Sequence, residues 1–181
     1  ADQYAEQDPR IKAIHFTRNR GYGSALQAGF KAATKKLVFY TDGDCQFDIN
    51  ELTEILPLIK DSDIVSCYRI ERQDGLLRKI NGFCWSKLVS MLFDLKLKDI
   101  DCAFKLYKTE IFDNIQMKST GALIDTEILA RAHSKNYKIV QKGVHHYPRT
   151  RGKQSGADIA VILIAFKELF KLYRQIKKDQ N

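Results

Sequence analysis

The sequence predicts an α/β fold, a mostly parallel sheet flanked by helices. Two observations carry the expectation. Short apolar runs alternate with stretches of helical period, in the order strand, helix, strand, helix, strand through residues 11–68. Strands that alternate with helices build a parallel sheet with right-handed crossovers. The run KLVFYT at 36–41 is continuously apolar, as a strand covered on both faces has to be.

The elements follow in order. Residues 11–16, IKAIHF, alternate in polarity and end in an aromatic, which predicts the first strand. Gly21 and Gly23 mark a turn, and Ala25, Leu26, Gly29, Phe30 and Ala33 then recur at helical spacing. Residues 36–41 form the second strand. A helix follows, with Asp48 or Asn50 at its N-cap, Leu52, Ile55, Leu56 and Ile59 on one face, and Pro57 limiting its end. Residues 62–68 read as another apolar strand. Residues 76–95 are helical in period and very apolar, and include Phe83 and Trp85. They suit a core helix or one lying on a membrane surface. A strand near 103–107 and a helix from Thr109 come next. A further helix points Leu123, Ile124, Ile128, Leu129 and Ala132 inward, and a strand follows within 137–148.

The last segment is a basic amphipathic helix. Ile162, Phe166, Leu169, Phe170, Tyr173 and Ile176 form one stripe. Lys167, Lys171, Arg174 and Lys178 fall on another face, with Glu168 as the acidic exception. Such a helix can pack on the domain, on a partner, or on an anionic bilayer, and the basic face favours the bilayer. The division expected is a domain over 1–156 and this helix over 157–181.

Composition narrows the class. The 181 residues suit one domain, and a hydrophobic fraction of 44% is enough for a core. Four cysteines stand far apart without a C-x-x-C pair, which argues against a thiolate zinc site. Three of them lie in apolar or mixed runs, so reduced, buried thiols and a cytosolic compartment are expected. His145 and His146 are adjacent, point to opposite sides of a strand, and read as structural. The net charge of +8 invites an anionic partner, yet no nucleic-acid motif accompanies it. The first residues lack the pattern of a signal peptide and read as the end of a helix.

One stretch carries chemistry. Asp42, Asp44 and Gln46 stand two apart directly after the 36–41 strand. In an extended chain that spacing puts three oxygen donors on one side. A polar loop closing a strand and a hard-cation site for magnesium or manganese both fit. Ligands in such sheets bind at the C-terminal ends of strands, which favours the site.

Five stretches in order over residues 10–156 resemble family 2 glycosyltransferases of the GT-A fold, a Rossmann-like architecture. They resemble in particular the polyprenyl-phosphate sugar transferases typified by dolichol-phosphate mannose synthase. NRGYGSALQAGF is similar to the family's Asn-x-Gly-x-Gly/Ser-x-Ala-x-x-x-Gly run, and VFYTDGDCQFD to its Asp-x-Asp-x-Gln motif. DIVSCYRIER resembles the strand ending in an arginine. DIDCAFKLYK resembles the Asp-x-x-Cys-Gly/Ala-Phe-Arg/Lys segment, and RTRGKQS the Arg-x-x-Gly loop. The family's opening strands, which end in Pro-x-Tyr/Phe-Asn-Glu and Asp-Asp-Gly/Ser and contact the nucleotide base, have no match here. The resemblance therefore implies a GT-A domain lacking its first strands, an N-terminally truncated product.

The resemblance also implies roles. Transfer would run from a nucleotide-sugar donor to a polyprenyl-phosphate acceptor, with inversion, at the inner face of the membrane where the protein sits as a peripheral cytoplasmic enzyme. Asp44 and Gln46 would hold Mg2+ or Mn2+, with Asp42 supporting the metal or contacting the donor ribose, while Asp48 serves as a helix cap. Asn19, Gly21 and Gly23 would lie against the donor. Arg69, Arg78 and Arg149 would bind phosphate, with Lys105 as a further cation and Arg151 as a substitute for Arg149. Asp101 would be the base if the acceptor were a saccharide hydroxyl rather than a lipid phosphate. An inactive membrane-associated fragment is the remaining alternative.

Overall fold

The computed structural model describes residues 1–70, 76–148 and 159–180, with backbone alone for 76–79, 159–164 and 180. Four strands form one sheet: β1 (Leu37–Thr41), β2 (Ile64–Ile70), β3 (Phe104–Lys108) and β4 (Ile139–His145), in the order β1-β3-β2-β4. β2 and β4 pair parallel, and β3 runs antiparallel to both of its neighbours. Three strands thus share one direction. The crossover from β1 to β2 leaves one strand's width between them, and β3 fills it from the opposite direction. The first residues of β3 therefore lie at the C-terminal ends of the other strands, with Thr41 opposite Phe104 and Tyr40 opposite Lys105.

The helices are α1 (Asp2–Gln7), α2 (Tyr22–Ala32), α3 (Leu52–Ile55), α4 (Leu76–Phe93), α5 (Glu110–Asn114), α6 (Ile124–Ser134) and α7 (Ile159–Gln180). The helix expected after Asp48 is broken into a 3-10 turn, the short α3, and a second 3-10 turn over Leu56–Asp61. Pro57 has no N–H to continue the α pattern, which tightens the last turn. Asp48 is the cap, its carboxylate accepting the Asn50 N–H at 2.9 Å.

The strand expected over 11–16 does not form. Ile11 and Ile14 are exposed, and β1 stands at the edge of the sheet with β3 as its partner. Apolar alternation becomes a strand only where a neighbouring backbone completes its hydrogen bonds. His15 instead meets Asp2 of α1 at 2.6 Å.

Side chains alternate across the sheet and build a core on each face. Ile64 and Tyr107 join Phe30, Ile124 and Ile128 on one side. Val65 and Leu106 join Ile55, Phe104 and Val144 on the other. α7 contributes Leu169, Leu172 and Ile176 to the first of these cores. The stripe expected on α7 is thereby split: Leu172 takes an inward place, and Phe166 and Phe170 face out. An ion pair from Arg131 of α6 to Asp179, at 3.0 Å, holds the helix in that rotation. Among the described residues, no helix is long and apolar enough to cross a membrane. All four cysteines are free thiols, but only Cys67 and Cys102 are buried. Cys84 departs from the expectation, because it lies on the outer side of α4 beside the exposed Phe83.

α6 is buried through Ile124–Ala132, charged residues included. Lys105 is wholly buried, and its ammonium donates to Asp125 Oδ1 at 2.8 Å and to the Cys102 carbonyl. Replacing Lys105→Met leaves the Asp125 carboxylate buried without its cation. The expected loss of unfolding free energy is about 3–5 kcal/mol, the usual result of breaking one side of a buried pair. The double variant Lys105→Met, Asp125→Leu is expected to recover most of it, and urea titration of the three proteins checks this. Equal stability of single and double variants would show that the two groups are not coupled.

Candidate active site

The acidic run leaves β1 as a turn. The strand ends at Thr41, and Cys45 takes a left-handed conformation with φ 59°. Asp42, Asp44 and Gln46 are therefore not arrayed along an extended strand, and their convergence comes from the turn. Asp44 Oδ1 accepts the Gln46 N–H at 3.2 Å. Gln46 is buried and clamps the segment after β4: its side-chain amide donates to the Tyr147 carbonyl at 2.9 Å, and its own carbonyl accepts the Tyr147 N–H at 2.8 Å. The acidic turn is thus fastened to the segment that follows β4.

Behind the turn runs a chain of polar contacts that passes from the exposed Tyr22 to the buried Tyr40 and Asp125. The Tyr22 hydroxyl donates to Asp42 Oδ1 at 3.2 Å and lies 3.2 Å from the Tyr40 hydroxyl. Tyr40 donates to Asp125 at 2.9 Å, and Asp125 accepts from Lys105. Burial, with the Asp125 charge behind it, raises the pKa of both tyrosines, so both remain protonated donors. Asp42 is also raised. Burial is the largest cause, and repulsion from Asp44 and Asp125 adds to it against the Tyr22 hydrogen bond and the Lys105 charge.

The segment before β3 supplies the second wall. Asp99 takes Arg69, at the end of β2, in a two-pronged pair with Nε at 2.6 Å and Nη2 at 2.9 Å. Burial opposes the Arg69 charge, but the hydrogen bonds and attraction of Asp99 outweigh it. Asp101 lies at the mouth of this wall, with solvent on its outer side and packed protein behind it. Burial, then repulsion from Asp125 and Asp99, pushes its carboxyl up to about 6, with Lys105 and Arg69 opposing.

The glycine turn forms the third side. Asn19 Oδ1 accepts the Gly21 N–H at 2.8 Å and closes the turn into α2. Gly21 has φ 91°, and a Cβ there would overlap the Thr120 carbonyl, while one on Gly23 would overlap the carbonyls of Ser119 and Gly121. The glycines let the 119–121 backbone close onto the start of α2.

The expected residues therefore divide. Asp42, Asp44, Gln46, Arg69, Asp101 and the Asn19–Gly23 turn meet at one end of the sheet. Lys105 is corrected: expected to contact a phosphate, it is sealed beneath the site and its charge is matched by Asp125. Arg149 and Arg151 lie outside the described residues, as does the side chain of Arg78. Tyr22, Tyr40, Asp99 and Asp125 were not singled out from the sequence. A carboxylate or hydroxyl set inside an apolar run was the available signal, at Asp125 in ALIDTEIL and Tyr40 in LVFYT.

The donor set is right in kind for magnesium or manganese: two carboxylates and an amide, all hard oxygen donors. Among the described residues no group of three or more His, Cys, Asp or Glu side chains is arranged to hold a metal. Two carboxylates suit an ion that completes its shell with water and substrate phosphate.

Residues 1–116 match the family model described as Glycosyl transferase family 2. Over 110 residues the chain is 30% identical to a dodecaprenyl-phosphate galacturonate synthase of Rhizobium johnstonii, an overlap of 59% of this chain and 32% of that protein. Over 157 residues it is 27% identical to glycosyltransferase AglD of Haloferax volcanii, covering 82% of this chain and 25% of that one. The chain thus spans 25–32% of the length of these curated relatives. Glucosyl-3-phosphoglycerate synthase of Mycobacterium tuberculosis, in complex with UDP, superposes with a TM-score of 0.64 at 12% identity, covering 93% of this chain and 59% of that one. Its complex with Mn2+, UDP-glucose and glycerol 3-phosphate gives 0.56 at 14% identity, over 95% and 56% of the two chains. At such identities the likeness is one of fold, and it bears out the GT-A-like architecture expected. With its model matched across residues 1–116, the family can be stated plainly: the chain belongs to glycosyl transferase family 2.

Proposed function

We propose that this chain carries the reaction centre of an inverting, metal-dependent glycosyltransferase that moves a sugar from a nucleotide-diphosphate sugar to a polyprenyl phosphate. The observation that carries the reading is the meeting of the Asp42–Gln46 turn, the Asn19–Gly23 turn and the Asp99–Asp101 segment at one sheet end. The dodecaprenyl-phosphate galacturonate synthase among the relatives supports the acceptor class. Solved neighbours in complex with UDP-glucose and Mn2+, or UDP and Mg2+, support the donor and the ion.

In this reading Asp42 and Asp44, with Gln46, hold the metal. When bound, the ion supplies Lewis acidity to the departing diphosphate. The Tyr22 hydroxyl fixes the Asp42 carboxylate, and Asn19 holds the glycine turn that seats the donor. Arg69, Arg78 and Arg149 bring positive charge to phosphate, Arg69 from within its pair with Asp99. A lipid phosphate oxygen is already anionic and attacks without a general base, so Asp101 shapes the mouth rather than taking a proton. A second reading, transfer to a saccharide hydroxyl, is favoured by the raised pKa of Asp101, which suits a base working near neutrality.

The proposed setting is the cytoplasmic face of a membrane, with the protein peripheral. Ile80, Phe83 and Met91 of α4 are exposed, as are Phe166 and Phe170 of α7, and the Trp85 and Phe166 rings meet at 5.5 Å. Lys87, Lys167, Lys171 and Arg174, all exposed, accompany them. Apolar side chains beside lysine and arginine suit an anionic leaflet.

Four outcomes test the proposal. Titration of the chain with UDP-sugars and GDP-mannose should show binding that requires Mn2+ and is lost in Asp44→Ala; binding indifferent to both would overturn the assignment of the acidic turn. With a polyprenyl-phosphate acceptor, Asp101→Asn should keep kcat within about tenfold, whereas loss of a general base lowers it about 10²–10⁴-fold. The folded pKa of Asp101 lies above its ordinary 3.8, so its contribution to stability is full below that value and is lost as pH rises through about 6. Asp101→Asn should therefore be the more stable protein above that pH, as thermal melts at pH 4 and 7 would reveal. Finally, Phe83→Ser with Phe170→Ser should cut sedimentation with anionic vesicles while changing the melting temperature little, because Phe83 is 69% and Phe170 50% exposed.

A further inference from the structure

The mechanism above makes no use of Glu127, although it is a wholly buried carboxylate. Its Oε2 accepts the N–H of Lys118 at 2.8 Å and of Ser119 at 2.6 Å. Its Oε1 accepts Nε–H of Arg131 at 2.9 Å. Three donors, one of them charged, fix it in place. The loop it grips, residues 118–121, faces the other way with its carbonyls. Ser24 N–H donates to the Thr120 carbonyl at 3.3 Å, and the Gln27 side chain donates to the Ser119 carbonyl at 2.8 Å. Gly21 and Gly23 are glycines because these same carbonyls press on them. The gripped amides at 118 and 119 directly precede the Ser119 and Thr120 carbonyls in the chain, so the group that holds them anchors the stretch from which those carbonyls project. Tyr22, between the two glycines, reaches Asp42.

The opposite end of the chain of contacts lies on α7. Arg131 Nη1 donates to Asp179 at 3.0 Å. Glu168 of the same helix comes close to the loop at Gly121. Helix α7 thus bonds the residue that fixes Glu127 and passes near the loop that Glu127 fixes.

We propose that Glu127 is the positioning residue of the glycine turn, and that through Arg131 it couples the seating of α7 to the donor side of the site. The link deepens the proposed function, since it would let the helix that faces the membrane set the shape of the donor turn. Its kinetic consequence rests on that reading; its structural consequence does not.

Hydrogen–deuterium exchange on the chain and on Glu127→Gln tests it first. The variant keeps the shape of the side chain and loses its charge. Amides of residues 21–27 and 118–121 should exchange about tenfold faster, the size expected when charge-assisted hydrogen bonds are lost, while β2 and β4 keep their protection. Asp179→Asn, at the exposed end of the relay, should speed the same two segments by about two- to threefold, as weakening of a partly exposed pair implies. Unchanged exchange at 21–27 in Glu127→Gln, or equal acceleration throughout the sheet, overturns the proposal. With nucleotide-sugar donors and a polyprenyl-phosphate acceptor, Glu127→Gln should raise the donor KM about tenfold with kcat nearly unchanged, the mark of lost binding rather than lost chemistry. An equal fall in kcat at constant KM also overturns it. If the unaltered chain shows no turnover, the proposed function is what fails, and the exchange result still decides the role of Glu127.

Discussion

The buried pair between Lys105 and Asp125 is the interaction on which the rest of this structure depends. Lys105 comes from the strand that fills the middle of the sheet, and Asp125 from the first turn of the helix packed on it. Neither charge survives burial without the other. Their meeting therefore fixes where α6 sits on the sheet. From that seat Asp125 takes the Tyr40 hydroxyl of β1, and Glu127 and Arg131, on the same helix, reach a loop and α7. A single ion pair locks a strand, a helix and the floor of the acidic turn into one register.

The direction of β3 matters as much. A fourth strand parallel to the others would have put its N-terminal residues at the far end of the sheet. Running antiparallel, β3 brings Asp99, Asp101 and Lys105 to the end where β1 delivers Asp42 and β2 delivers Arg69. The chain joins residues nearly sixty positions apart by reversing one strand.

Much of this was legible in the sequence, and the illegible parts have a common cause. Period and polarity mark the elements whose neighbours are generic, so the three like-directed strands, α2 and the Asp48 cap are readable. Residues 11–16 carry the same alternation and form no strand, because pairing depends on a partner that alternation does not specify. α6 shows an apolar stripe, and a stripe implies a wet opposite face. That face is dry here, because Asp125 and Arg131 meet partners from distant segments and Glu127 meets the loop that leads into the helix. Lys105 misleads for the same reason. Its charge reads as a ligand for phosphate, whereas its buried counter-charge lies twenty residues on.

The carboxylates at the sheet end then sort by what faces them. Asp99 faces Arg69, and Asp125 faces Lys105, so each stands within a matched ion pair. Asp42 faces a tyrosine hydroxyl instead, and its pKa is raised by burial and by its acidic neighbours. Asp101 is raised in the same way, and the Asp125 charge acts on both. Among the described residues, the wall thus pairs Lys105 with Asp125 and Arg69 with Asp99, and sets the acidic Asp42 and Asp101 beside them. Such an arrangement repels a bare diphosphate and favours one that arrives with a divalent ion, since the ion reverses the sign of the field at the point of contact. The proposed use of a metal thus draws on the two raised carboxylates as well as on the Asp-x-Asp-x-Gln spacing.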